Sequence, residues 1–322
     1  MTNKKTKHLL LATLLAVLII PSLGCTQRDP VLRIASNVWP GYEFVYLAKA
    51  LNYFNDDDIR LISVPSATVA IQSLAAGTVD GAMLTLDEVL TANANGIKLN
   101  IVTVLDISLG ADVLLAKPEI TSLQQLRGKR IGVEDSAVGA IMLDAILTKS
   151  GLKLTDIHPV FITVNQHQRA YEENQVDALI SFEPVISQLS QSGAHQLFSS
   201  ADIPGRIMDV IAVSNTALEH NPRAIRSLVE AHFRAKEYYD KQTSSASEII
   251  SRRLHIPAKD VVQSYAGIII PDKNENIAWL AGEQPKLQNS IDSLVKIMLN
   301  ANLLPGRIDT THLINADYIA QK

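Results

Sequence analysis

A single cysteine, Cys25, occurs in 322 residues, which rules out an internal disulfide and any metal site built on paired thiolates. The eight histidines are scattered, and none stands four residues from another, the spacing at which a helix aims two imidazoles at one ion. No metal site is expected. Blocks of five or more Lys and Arg are also missing, so nucleic acid is not an expected partner, because phosphate binding rests on clustered positive charge. Motifs that cradle or attack phosphates and esters are absent. There is no G-x-G-x-x-G and no G-x-S-x-G. Gly128-Lys129-Arg130 is not a Walker motif, since Leu123 stands where the first glycine belongs and Arg130 where Ser or Thr belongs. No cofactor and no catalysis are expected.

What is present is ordinary globular composition, 47% hydrophobic and 19% charged, with a net charge of −4 and enough chain for two domains. The N-terminus carries an address. Lys4, Lys5 and Lys7 precede an apolar run of 12 residues, Leu9 to Ile20, too short to span a bilayer as a helix. Pro21-Ser22-Leu23-Gly24-Cys25 follows. A small residue directly before the cysteine resembles a bacterial lipobox, although Ser22 stands where leucine is usual. The expectation is a lipoprotein signal peptide over 1–24, acylation (palmitate included) of Cys25, and a tether over 25–31. The alternative is a plain secretory signal with a free thiol. Thr26 after the cysteine points to the outer membrane of a bacterial envelope, with the protein on its periplasmic face.

Beyond the tether, short apolar strands alternate with helical segments. Strands are expected at Leu32–Ala35, Ile59–Val64 and Gly81–Leu84. Helices are expected at Tyr42–Leu51, Thr68–Ala76 and Asp87–Asn93. This alternation reads as a parallel sheet with crossover helices. The pattern then restarts. "LRIAS" is echoed by "KRIGV", and "TVDGAMLTLDE" by "QVDALISFEP". Arg33 and Arg130, like Asp80 and Asp177, lie 97 residues apart. A doubled β-α-β-α-β unit is the better reading of that shared offset. "ADVLLAKPEI" (111–120) and "DVIAVSNTAL" (209–218) are where the chain is expected to cross between the units. The remainder reads as helix: Arg223–Tyr239 behind an Asn221 N-cap, then Ala246–Leu254, Lys259–Ile268, Lys286–Leu299 and Thr310–Ile319.

Ligands of open α/β sheets lie beyond the carboxyl ends of the strands. The residues following such ends are therefore the candidates. Trp39 is either a wall of a cleft or core packing, and Tyr42 stands close to it. Ser66, Thr68, Ser136 and Ala137 begin helices, whose free N–H groups favour an anionic group; each hydroxyl is equally a simple cap. Asp87 and Glu183 hold matching places in the two copies, two residues after Thr85 and Ser181. They either face each other across a cleft or cap the helices that follow. Asp209 contacts ligand or fixes a hinge. Helix ends combined with acids suggest a small polar or zwitterionic ligand.

On "NVWPGYEFVYLAKALNYF", "LAAGTVDGAMLTLDEVL", "LRGKRIGVEDSAVGAIML" and "VDALISFEPV", the chain resembles the nitrate/taurine/sulfonate group of ABC-transporter solute-binding proteins, relatives of which bind the pyrimidine precursor of thiamine. The resemblance covers roughly 32–218. It implies an α/β fold of two Rossmann-like lobes joined by a two-crossover hinge, the type II periplasmic-binding-protein fold. Lobe one would comprise 32–115 and 210–322, and lobe two 116–209. It also implies a monomer that captures a small polar or anionic nitrogen or sulfur compound between the lobes and delivers it to an ABC permease and its ATPase. The site positions that the resemblance carries over are the loop at Trp39, the turn at Thr85 and Asp87, the helix start at Ser136 and Ala137, and the turn at Glu183. A ligand-sensing lipoprotein that signals through a membrane receptor is the alternative.

Overall fold

The computed structural model describes residues 29–190 and 192–319. The charged N-terminal segment, the apolar run and the lipobox with Cys25 lie outside these residues. Among the described residues, no helix is long and apolar enough to cross a membrane.

The first unit alternates strand and helix: β1 (Leu32–Ser36), α1 (Glu43–Ala50), β2 (Ile59–Ser63), α2 (Ala67–Ala75), β3 (Gly81–Thr85), α3 (Leu86–Ala94) and β4 (Leu99–Ser108). The second runs β5 (Val113–Ala116), β6 (Arg130–Val133), α4 (Ala137–Ser150), β7 (His158–Phe161), α5 (His167–Glu172), β8 (Ala178–Ser181), α6 (Val185–Ser190) and β9 (His195–Ser199). β10 (Met208–Ser214) follows, then α7 (Asn215–His220), α8 (Pro222–Lys241), α9 (Thr243–Leu254), α10 (Val261–Ser264), β11 (Ile268–Ile269), α11 (Lys273–Leu280) and α12 (Lys286–Asn300).

Two sheets result, ordered β11-β4-β10-β3-β1-β2 and β7-β6-β8-β5-β9. Each contains three parallel strands, β2-β1-β3 or β7-β6-β8, because the helical connections return the chain to the same end of the sheet. The strand beside each trio is antiparallel: β10, from beyond the second unit, pairs with β3, and β5, just ahead of β6 in the chain, pairs with β8. The chain therefore crosses between sheets twice, at 109–112 and at 200–207.

The doubled unit extends to the hydrogen bonds. Ile34 pairs with Gly81 in the first sheet, and Ile131 with Ala178 in the second, each 97 residues on. Asp80 accepts from the backbone N–H and the guanidinium of Arg33, at 2.8 and 2.7 Å. Asp177 holds Arg130 in the same way, also at 2.8 and 2.7 Å. One carboxylate thus fastens the start of a strand to the turn before its neighbour, once in each sheet.

The C-terminal helices cover the first sheet. On α8, Ile225, Leu228, Val229 and His232 form the expected buried stripe. Phe44 of α1 stacks on Tyr265 at 5.3 Å and meets Tyr239 edge-on at 5.4 Å. Asn276 of α11 is fully buried. Its Oδ1 accepts from the Thr103 hydroxyl and the Val104 N–H, and its Nδ2 donates to the Val104 carbonyl. An amide of this kind bolts a helix to a strand without leaving polar atoms unsatisfied.

Several expectations are corrected. The helix expected over Lys259–Ile268 is a single turn, α10. Gly267 takes a positive φ of 77° and turns the chain into β11, which pairs with β4. The helix expected over Thr310–Ile319 is turn, bridge and a 3-10 turn at Ala316–Tyr318. There Asp309 and Asn315 accept from the backbone N–H groups of Thr311 and Asp317, local bonds that compete with a helix. Asn221 does not cap α8 with its side chain; it donates to the Pro30 carbonyl instead. Asp29 pairs with Arg223 at 3.0 Å, so the end of the expected tether is fastened to α8.

Candidate functional site

The carboxyl ends of the two parallel trios face each other and enclose a cavity. The first sheet contributes Asn37, Trp39, Tyr42, Ala67, Thr85, Glu88 and Asp209. The second contributes Glu134, Val138 and Phe182, and the two crossings add Asp112 and Ile207. The cavity is small, about 30 Å³, room for roughly two waters. Contacts between the two sides shut it. Phe182 meets Trp39 edge-to-face at 5.1 Å and 88°. The Thr68 hydroxyl donates to the Asp135 carbonyl at 2.8 Å.

Local geometry explains how these side chains are placed. Trp39-Pro40-Gly41-Tyr42 makes a 3-10 turn after β1, with proline at its first position. The Trp39 indole N–H donates to Asp106 Oδ2 at 3.0 Å, and the Tyr42 hydroxyl donates to Asp209 Oδ1. Asp106 and Asp209 are register partners on β4 and β10, so they stand side by side. Glu88 lies in the first turn of α3 and accepts from the Thr85 N–H at 2.9 Å, half of a capping box. Glu134 follows β6 in the turn before α4, two residues ahead of the Ser136 N-cap.

The wall is acidic and buried. Among the described residues, Glu88 Oε1, Asp106 Oδ1, Asp112 Oδ2 and Glu134 Oε1 are buried without a hydrogen-bond partner. Burial disfavours the charged form of every one of these groups. It pushes the Asp112 carboxyl up to about 6. It pushes Glu134 up to about 8, with the charge of Glu88 adding to the effect. Asp209 is raised well above the carboxylate range by burial and then by Asp106. Glu88 is raised by burial, against the opposing pull of its Thr85 hydrogen bonds.

The residues singled out from sequence separate into two groups. Trp39, Tyr42, Thr85 and Asp209 line the cavity. Ser66 and Ser136 cap α2 and α4, accepting from the N–H groups of Val69 and Gly139 at 3.3 Å. Thr68 ties the two sides together, and Ala137 begins α4 beside the lining residue Val138. Asp87 and Glu183 do not line the cavity. Asp87 is fully buried beside it, next to Glu88. Glu183 accepts from the N–H and hydroxyl of Ser187, at 3.0 and 2.8 Å, so it caps α6. Their neighbours Glu88 and Phe182 take the positions facing the cavity.

Asp106 and Asp112 went unrecognised in the sequence, and Glu134 stood in a strand-end segment without being singled out. A signal did exist for the first two: each is a lone acid in a stretch of buried strand, "LNIVTVLDIS" and "ADVLLA". An ionisable group in such a stretch is costly unless it faces something.

A family model described as NMT1/THI5 like matches residues 39–245. A binding protein of Brucella abortus (strain 2308) is 23% identical over 255 residues, covering 76% of this chain and 78% of that protein. Among solved structures, the alkanesulfonate-binding protein SsuA from Xanthomonas axonopodis pv. citri, bound to MOPS, superposes with a TM-score of 0.73. It is 19% identical, and the match covers 89% of this chain and 97% of that one. The periplasmic aliphatic sulphonate binding protein SsuA from Escherichia coli gives 0.69 at 20% identity, covering 88% and 97%. The fold is that of the periplasmic binding proteins.

Proposed function

This chain belongs to the NMT1/THI5-like family, and on that premise we propose that it is a solute-binding protein that closes two lobes on a small polar molecule and hands it to an ABC permease. The lobes are built on the two sheets: 32–108 with 208–319, and 113–199, so 113–115 and 208–209 change sides relative to the expected bounds. The observation that carries this function is the cavity between the sheets. Both sheets supply its wall, and buried polar atoms there lack partners from the protein. A protein folded only for stability would satisfy or omit such atoms. Two crossings at one side allow hinge opening, which the small closed cavity requires before any solute enters.

Delivery implies attachment near a membrane. We place the protein on the periplasmic face of the envelope, held by lipid on Cys25. Replacing Cys25 by Ala should move the protein from the membrane fraction to the soluble fraction. Retention of the variant in the membrane would sink the anchor.

Binding is tested by melting the mature protein against a panel of small polar solutes and by X-ray scattering with and without each. Saturating ligand at a hundred times its dissociation constant adds about 2.7 kcal/mol of stability, and the radius of gyration should fall as the lobes close. Trp39→Ala should abolish the ligand response and leave the fold intact. Unchanged affinity in that variant would remove Trp39 from the site. A protein that neither melts higher nor compacts with any solute is not a binding protein of this kind.

A further inference from the structure

The sign of charge at the cavity departs from what an anion needs. Its lining holds Glu88, Asp112, Glu134 and Asp209, and no Lys, Arg or His. Backbone N–H groups at helix starts are the usual alternative for holding an anion. Here the protein's own carboxylates occupy that ground: Glu88 accepts from the Thr85 N–H before α3, and Glu134 shares the lining with Ala67 at the start of α2. An incoming sulfonate would therefore meet acceptors rather than donors.

We propose that this cavity selects a small organic cation carrying several N–H donors, such as a protonated amine, amidine or guanidinium, and this rests on the solute-binding function above. The cluster of acids does not stand alone. Glu88 Oε1, Asp112 Oδ2 and Glu134 Oε1 are buried acceptor atoms with no donor among the described residues, and their residues are only 2, 6 and 7% exposed. Once ionised, a carboxylate oxygen can only accept, so each then calls for a donor from outside the chain. The three oxygens come from three separate segments: α3, the first crossing and the turn before α4. Among the described residues, no three His, Cys, Asp or Glu are grouped so as to hold a metal ion. Dispersed acceptors of this kind suit a ligand whose N–H groups point in several directions. Trp39, Tyr42 and Phe182 complete the wall, and aromatic faces attract organic cations.

Binding of a cation has a proton signature. The titratable groups at or beside the cavity are Tyr42 beside Asp209, Glu88 on α3 with the buried Asp87 next to it, Asp106 on β4, and Asp112 and Glu134 from the connecting segments. Burial raises every one of these carboxyls, Asp112 to about 6, Glu88 and Asp106 to about 7, Glu134 to about 8 and Asp209 well above the carboxylate range. A cation favours their ionised forms, so protons leave when it binds. An anion would draw protons in.

The test is calorimetric titration of the mature protein with agmatine, butane-1,4-diamine, ethanesulfonate and nitrate. Each is run at pH 7 in two buffers of different ionisation enthalpy. We expect agmatine or the diamine to bind saturably with net proton release, and the two anions to give no binding heat. Asp112→Asn and Glu134→Gln should each weaken cation binding tenfold or more, while the ligand-free melt stays level or rises because a buried acid has been removed. Binding of ethanesulfonate or nitrate with proton uptake, and no binding of either cation, overturns the charge assignment and leaves solute binding standing. A protein that binds neither cation overturns the assignment whatever else it takes up. If scattering with every solute of the wider panel also shows a single unchanging shape, solute binding falls as well. Unaltered cation affinity in both variants places the cation elsewhere and overturns the site.

Discussion

At Gly41 the chain leaves no room for a side chain between Trp39 and Asp106. A Cβ built there would stand 1.8 Å from Asp106 Oδ2 and 2.6 Å from Trp39 Nε1. Gly41→Ala should therefore push Trp39 and Asp106 apart, cost about 1–3 kcal/mol as overpacking, and weaken ligand binding at least tenfold. Urea denaturation and a binding titration check both, and a variant with native affinity would show that the Trp39–Asp106 contact does not shape the site. At this scale the sequence was only partly legible. Trp39 and Tyr42 could be named because aromatics are scarce and theirs follow a strand end. The acids could not be sorted, because adjacent positions on the first turn of a helix differ by about 100° in direction. That rotation puts Glu88, and not Asp87, against the cavity. On the other side Glu183 turns back onto Ser187 and leaves its place to Phe182.

Strands and their turns are where the sequence was most legible. The shared offset of 97 residues appeared as two faint echoes, and both prove to be ends of one device, an Asp holding an Arg and its backbone N–H. These pairs are partly exposed, with Asp80 and Asp177 at 20 and 27%, so each contributes modestly. Asp80→Ala and Asp177→Ala should each lower stability by about 1 kcal/mol. The loss should be similar in the two, as read from chemical denaturation. A large loss from one and none from the other would mean that the repeat is geometric but not energetic. Acid should release the second pair, because Arg130 holds the Asp177 carboxyl below its ordinary value. Its contribution is present above that ordinary value and fades as pH falls through the lowered one. Helix limits in the tail were less legible. Gly267 and the side chains of Asp309 and Asn315 compete with helix by local geometry, which apolar periodicity does not register.

For the whole molecule, the buried acids reverse the pH trend set by Asp177. A carboxyl raised in the folded state stabilises fully below its unfolded value near 4 and loses that contribution as pH rises through the folded value. Asp112 and Glu134 place this loss between roughly pH 4 and 8. The ligand-free protein should melt several degrees lower at pH 8 than at pH 5, and bound cation should narrow the gap. Equal melting temperatures at the two pH values would show that the cavity opens and hydrates its acids without ligand. The crossings tie this behaviour to motion. Ser200 Oγ lies 2.7 Å from Ser108 Oγ and accepts from the Gly110 N–H at 2.6 Å, and the Ser200 N–H donates to the Asp112 carbonyl at 2.8 Å. The two connecting segments are thus laced together, and Asp112 belongs both to the lacing and to the cavity wall. Opening the sheets about these crossings would part Glu88 on the first side from Glu134 on the second, with Asp112 on the hinge between them. A membrane partner that pries the sheets apart would therefore lower affinity directly, with no separate gate for release.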